Sequence, residues 1–138
     1  MELKEIYGES LDKDKLIEVP PLALAFVGDG VHTMFVRNNV VKKNIQKVGD
    51  YHLLCAHFCK ALTQSKVLDS ITNELTEQEN DIVRRARNVK SHNIAKNSDI
   101  STYKKATGFE ALIGYLYLSG NFDRMKYILE KSMEEICI

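Results

Sequence analysis

Pro20-Pro21-Leu22-Ala23-Leu24-Ala25-Phe26-Val27-Gly28-Asp29-Gly30-Val31-His32-Thr33-Met34-Phe35-Val36 carries a single charged residue, Asp29, in a run that is otherwise almost wholly apolar. A proline at the first helical position suits the amide that is unpaired there. A helix that is apolar on nearly every side belongs in the centre of a fold. The pattern therefore predicts a long, buried helix from Pro20-Pro21 to about Lys43. A second window repeats it: between Ala106 and Leu118 the only charged residue is Glu110. Two such helices, each with a lone acid, set the frame for the rest of the chain.

Working outward, helical spacing recurs with recognisable start signals, and nothing reads as a set of alternating strands. One helix is predicted over roughly Val48 to Leu68, with Tyr51, Cys55, Phe58 and Leu62 along one side, and a short piece near Asp69 to Glu74. Thr76 followed by Glu79 makes a capping box ahead of Ile82, Val83, Ala86 and Val89, with Arg84 and Arg87 turned away from that stripe. A polar stretch, Lys90 to Ser98, leads to a helix from about Asp99 to Ser119. The last helix starts at an Asn121 cap and buries Met125, Ile128, Leu129, Met133 and Ile136. The expected fold class is all-α, a helical bundle forming one domain over residues 1–138, with no Pro/Gly/Ser-rich linker.

Composition narrows the function classes. Lys+Arg 19 against Asp+Glu 19 gives zero net charge, which argues against a protein that finds a polyanion through its overall field. The longest unbroken aliphatic or aromatic run, Leu22 to Val27, is far too short for a membrane span, and the N-terminal MELKEIYGES has no apolar signal core. A cytoplasmic chain with no membrane partner is expected. Cys55, Cys59 and Cys137 are odd in number and form no C-x-x-C pair, so free thiols are expected. Neutrality is also local cancellation. Asp69 to Asp81 holds five acids and no bases, whereas Ile82 to Lys105 holds seven bases against Asp99 alone. Six bases oppose Asp50 between Arg37 and Lys66.

Ionised carboxylates in apolar helices cost several kcal/mol unless paired, strongly hydrogen-bonded or bound to metal. Asp29 lies between Gly28 and Gly30. Interior helical glycines cost roughly 1 kcal/mol each against alanine, so close approach of a backbone, a metal shell or a phosphate would account for them. Around Glu110 the neighbours at i−3 and i+4, Thr107 and Gly114, are again small. The two helices could meet with both acids on one divalent ion. Equally, a lone acid can cap a neighbouring helix or pair with an internal Arg or Lys, and Gly-Asp-Gly can be a plain helix break. Periodicity leaves these alternatives open.

Leu24-Ala25-Phe26-Val27-Gly28-Asp29-Gly30-Val31 resembles the signature helix of the ribonuclease III catalytic domain, and Phe109-Glu110-Ala111-Leu112-Ile113-Gly114-Tyr115-Leu116 resembles that family's second motif. Their order and layout match over about residues 20–135. Within the family the chain is most similar to the short form, Mini-ribonuclease III, which lacks a double-stranded-RNA-binding domain. Arg85-Ala86-Arg87-Asn88-Val89-Lys90-Ser91, Lys96-Asn97-Ser98-Asp99-Ile100 and Thr102-Tyr103 carry that similarity. Larger ribonuclease III enzymes have two further carboxylates, where this chain has Ala25 and Thr107. The short form shares their absence.

The resemblance implies an endoribonuclease that hydrolyses double-stranded RNA to 5′-phosphate and 3′-hydroxyl ends. It also implies Asp29 and Glu110 as catalytic metal ligands for Mg2+, with Mn2+ as a substitute. A twofold homodimer would place a site on each strand, and Phe26, Val27, Val31 and Phe35 are the candidate contact, with monomer core as the plainer reading. Structured RNA, in particular the 23S ribosomal RNA precursor, is the implied substrate, with a large-subunit ribosomal protein as a candidate assistant. The alternative is a non-catalytic helical RNA-binding module of the same fold. Without a separate binding domain, A-form RNA must be held by the catalytic body through phosphates and 2′-hydroxyls. Arg84, Arg87, Lys90, Lys96 and Lys104 are the first candidates, with Asn88, Asn97, Ser91, Asn93 and Ser98 able to reach hydroxyls.

His52, Cys55 and Cys59 share a helix face, so a soft-metal site is geometrically conceivable, but no fourth ligand is evident and packing is the simpler reading. His32, His57 and His92 have no Ser/Asp pattern beside them for nucleophilic catalysis. Tyr103, Tyr115 and Tyr117 are read as core.

Overall fold

The computed structural model describes residues 1–43, 48–89 and 99–134, and the regular structure among these residues is entirely helical. In chain order the helices are α1 (Leu3–Tyr7), α2 (Lys13–Glu18), α3 (Pro21–Lys42), α4 (Val48–Cys59) and α5 (Ala61–Ile71). A 3-10 turn at Thr72–Glu74 precedes α6 (Glu77–Arg87), α7 (Ile100–Ser119) and α8 (Phe122–Glu134). None of these helices is long and apolar enough to cross a membrane.

Helix α7 is the axis of the molecule. Its Phe109, Ala111, Leu112 and Ile113 are wholly buried, and α3, α5, α6 and α8 pack around it. Val67, Leu68 and Ile71 of α5, Val83 of α6 and Ile128 and Leu129 of α8 close the main core. A second cluster joins Leu16, Leu24, Ala25, Ile82 and Ala86 to Ala111 on the other side. Burying each large aliphatic side chain stabilises the fold by roughly 1.5–3 kcal/mol before chain entropy is subtracted.

The helix ends follow local chemistry. Pro20 caps α3 and Pro21 opens it, as the proline pair predicts. The capping box is formed: the Glu79 amide donates to Thr76 Oγ1 at 3.1 Å and the Thr76 amide to Glu79 Oε1 at 2.9 Å. Glu79 is also paired with Arg124 of α8 at 2.9 Å, which ties α6 to α8. Asp99 caps α7 through the Ser101 amide at 3.2 Å, and Gly120, at φ 77°, ends it in the left-handed conformation that glycine adopts at little cost.

Three expectations are corrected. The predicted helix over Val48 to Leu68 is two helices. Lys60 is extended (φ −69°, ψ 153°), and the Thr63 hydroxyl donates to the His57 carbonyl at 2.6 Å across the break. No glycine or proline marks that break, which turns α5 so that Thr63, Gln64 and Ser65 are buried. Second, α3 is buried on one side only: Leu22 is 45% exposed, Phe26 82% and Met34 56%. Third, Arg87 does not simply face away from the core, since its stem lies against Gly108 of α7. Two short helices, α1 and α2, precede Pro20 where no element was expected, and both are too short for periodicity to register. In α8 the buried residues are Ile128, Leu129 and Ser132, with Met125 and Met133 half-buried; Ile136 lies outside the described residues.

Candidate active site

The site is built on the crossing of α3 and α7. A methyl group on Gly28 would overlap the Glu110 carbonyl, and one on Gly114 would overlap the Leu24 carbonyl. The two backbones therefore touch, reciprocally, at one glycine from each helix. That contact accounts for Gly28 and Gly114. Gly30 is different: nothing lies near the position its side chain would take, so close approach does not explain it.

The crossing sets Asp29 and Glu110 side by side, so the structure brings the two lone acids together from helices far apart in sequence. Asp29 is exposed, contrary to the expected burial, and Glu110 is half-buried. The Thr33 hydroxyl donates to Asp29 Oδ1 at 3.5 Å one turn along α3. Burial, then a hydrogen bond and repulsion from Asp29, push the Glu110 carboxyl up to about 8, against a smaller opposing hydrogen bond from Gln64. Neither acid pairs with an internal Arg or Lys, nor caps a helix, among the hydrogen bonds and ion pairs of the described residues. A divalent ion between them would offset the repulsion of the two acids: the donors are hard oxygens, and Asp29 is open to solvent. The residues present fit such an ion.

Behind Glu110 lie further polar side chains, among them Gln64 and His32, neither of which the sequence marks as functional. Gln64 of α5 hydrogen-bonds Glu110, and its side-chain nitrogen lies 3.1 Å from His32 Nδ1. Burial holds the His32 imidazole down at about 4, although Asp29 pulls it upward, so the ring is neutral near pH 7. Cys59 of α4 is hydrogen-bonded to Thr33, and burial pushes its thiol up. Gln64 carries no signal in the sequence because α4 and α5 read as one helix, which leaves its direction undefined.

Among the described residues no group of three or more His, Cys, Asp or Glu is placed to hold a metal ion. Any ion between Asp29 and Glu110 would therefore take most of its ligands from water and substrate. Ala25 is buried, and the Thr107 hydroxyl donates to its own helix at the Tyr103 carbonyl, 3.1 Å away, so neither adds a ligand. His52 is exposed while Cys55 and Cys59 are half-buried in the packing of α4 against α3.

Of the proposed RNA contacts, Arg84, Arg87, Asn88 and Lys104 line one open groove between α5, α6 and α7, and neither Asp29 nor Glu110 lines it. Arg84 is ion-paired with Asp81. Lys90, Lys96 and Asn97, with Ser91, His92, Asn93 and Ser98, lie outside the described residues. At the candidate dimer contact, Phe26 stands on the surface, whereas Val31 and Phe35 pack against the monomer's own core.

Comparison with known proteins agrees with this architecture. The Ribonuclease III domain family model matches residues 22–121. The Mini-ribonuclease 3 of Thermoanaerobacter sp. (strain X514) is 43% identical over 128 residues, covering 93% of this chain and 90% of that protein. That of Symbiobacterium thermophilum is 39% identical over 120 residues, 87% of this chain and 92% of that protein. Among solved structures, protein FN1578 from Fusobacterium nucleatum superposes with a TM-score of 0.78 at 26% identity, covering 86% of this chain and 94% of that one.

Proposed function

Because the chain belongs to the ribonuclease III family, within its Mini-ribonuclease 3 group, and is an endoribonuclease, we propose that it cuts double-stranded RNA with Mg2+ held by Asp29 and Glu110. The observation that carries this reading is the pair of carboxylates set against each other by the Gly28–Gly114 crossing, where burial and Asp29 push the Glu110 carboxyl up to about 8. When bound, the ion would supply positive charge beside the scissile phosphate and acidify the attacking water. The chain's own residues do the rest. Asp29, exposed on α3, and Glu110, half-buried on α7, would hold the ion between them, so that phosphate reaches it from the solvent side. Backbone contact between α3 and α7 fixes the spacing of the two acids.

Two strands require two sites, and a twofold homodimer supplies them. Exposed Leu22, Phe26 and Met34 along α3 support that assembly, because an apolar surface beside the acids is costly unless covered. The groove of Arg87, Asn88 and Lys104 supports phosphate and 2′-hydroxyl contacts along an A-form duplex. As its resemblance to the short ribonuclease III form implies, we further propose maturation of the 23S ribosomal RNA precursor as its role, with a large-subunit ribosomal protein as an assisting partner and the cytoplasm as the place.

The test is incubation of the protein with a precursor 23S stem. Mg2+ should give discrete products with 5′-phosphate ends, Mn2+ should substitute, and EDTA should stop the reaction. Cleavage in EDTA, or products with 5′-hydroxyl ends, would contradict the proposal.

A further inference from the structure

Gln64 and His32 form a buried polar pair behind the two acids, 3% and 1% exposed respectively. Neither is part of a helix cap or an ion pair, and both touch the site rather than the core alone. The Gln64 side-chain nitrogen lies 3.1 Å from His32 Nδ1, and the same side chain is hydrogen-bonded to the Glu110 carboxylate. The imidazole is itself locked, edge-to-face on Phe109 with ring centroids 5.1 Å apart at 77°.

The donors along this chain read in one direction. With an ion bound, Glu110 is ionised and only accepts hydrogen bonds, so Gln64 must then turn its amide nitrogen toward Glu110. That nitrogen carries two hydrogens, and the second points at His32 Nδ1, which must then be the bare, accepting nitrogen of a neutral ring. A flipped amide would set its oxygen against a lone pair and a carboxylate together. We propose that Gln64, oriented by His32, is a positioning residue that fixes the Glu110 carboxylate so that its free oxygen faces Asp29 and a shared divalent ion.

This rests on the reading of Glu110 as a metal ligand. A glutamate side chain has three rotatable bonds, and with only two protein carboxylates at the site a wandering ligand would lose much of the ion's hold. Groups that hold metal ligands in place typically cost 10- to 100-fold in affinity or activity when removed.

The test is titration of RNA-free protein with Mn2+, followed by electron paramagnetic resonance, on the wild type, Gln64→Met, His32→Met, the double variant and Glu110→Gln. Gln64→Met should weaken Mn2+ binding about 10-fold or more. It should raise the Mg2+ needed for half-maximal cleavage by a similar factor, with KM for RNA unchanged. His32→Met should shift the same quantities in the same direction, and the double variant should be no worse than Gln64→Met. Wild-type Mn2+ affinity in folded Gln64→Met would overturn the proposal. If Gln64→Met fails to fold, nitrogen-15 spectra of the wild-type His32 ring at saturating Mg2+ decide: a bare Nδ1 and a protonated Nε2 support the proposal, and a protonated Nδ1 overturns it. Undiminished Mn2+ binding in Glu110→Gln would instead remove the metal-ligand reading itself, whereas loss there with none in Gln64→Met removes the positioning role alone.

Discussion

Glu110 is the lone charged residue between Ala106 and Leu118 of α7, and its position costs the fold stability when no cation is present. The carboxyl is raised from 4.5 to about 8 in the folded protein. Between those values the unfolded chain has lost its proton while the folded one still holds it, so stability must fall as pH rises across that window and level off above it. For a half-buried group, screened in part by solvent, the loss is on the order of 1–3 kcal/mol. Urea denaturation in EDTA between pH 5 and 8.5 should show that decline in the wild type and a flatter profile in Glu110→Gln, which should be the more stable at the alkaline end. Equal slopes in the two proteins would contradict the assignment. The residue scale is also where the sequence was most legible. Asp29 and Glu110 stood out because charge is absent around them, and the structure sets them together. Gln64 and His32 did not stand out: a glutamine in a polar helix and a histidine in an apolar one carry no pattern until α5 is turned.

Elements meet here by glycine. Gly28 and Gly114 look like the same kind of residue as Gly30 in the sequence, yet only the first two are filled by a facing carbonyl. Gly28→Ala should therefore force α3 and α7 apart, costing roughly 3 kcal/mol, the upper end of overpacking, and abolishing cleavage through the lost spacing of the acids. Gly30→Ala meets open space within a helix and should stabilise by up to about 1 kcal/mol. Thermal denaturation of the pair checks both, and similar behaviour would contradict the crossing. Most helix starts were readable because caps are local, as with Pro20-Pro21 and the Thr76–Glu79 box. The break at Lys60 was not, because tertiary burial of Thr63, Gln64 and Ser65 drives it rather than any breaker residue.

At the scale of the whole molecule, net charge conceals function: acidic and basic blocks cancel in the sum while the basic one lines a groove. Replacing Arg87 and Lys104 by Gln should weaken RNA binding and lower the slope of log K against log salt by about 1 for each lost phosphate contact. An unchanged slope would move the RNA face elsewhere. Phe26, 82% exposed in the single chain, should anchor the dimer. Phe26→Asp should cost about 2–4 kcal/mol of association and give monomers in sedimentation experiments where the wild type is dimeric. Sequence alone read α3 as central because it is apolar all round. One side of that apolar surface belongs to the monomer core and the other is exposed in the single chain, a division that periodicity cannot express.

The most direct measurement is single-turnover cleavage of long double-stranded RNA at saturating Mg2+ by the wild type, Asp29→Asn and Glu110→Gln, with RNA binding followed in parallel. Both variants should bind RNA comparably to the wild type and cleave at least about 100-fold more slowly, the scale expected when a group that stabilises charge in the transition state is removed. Wild-type cleavage by either variant would contradict the assignment of the site to these two carboxylates.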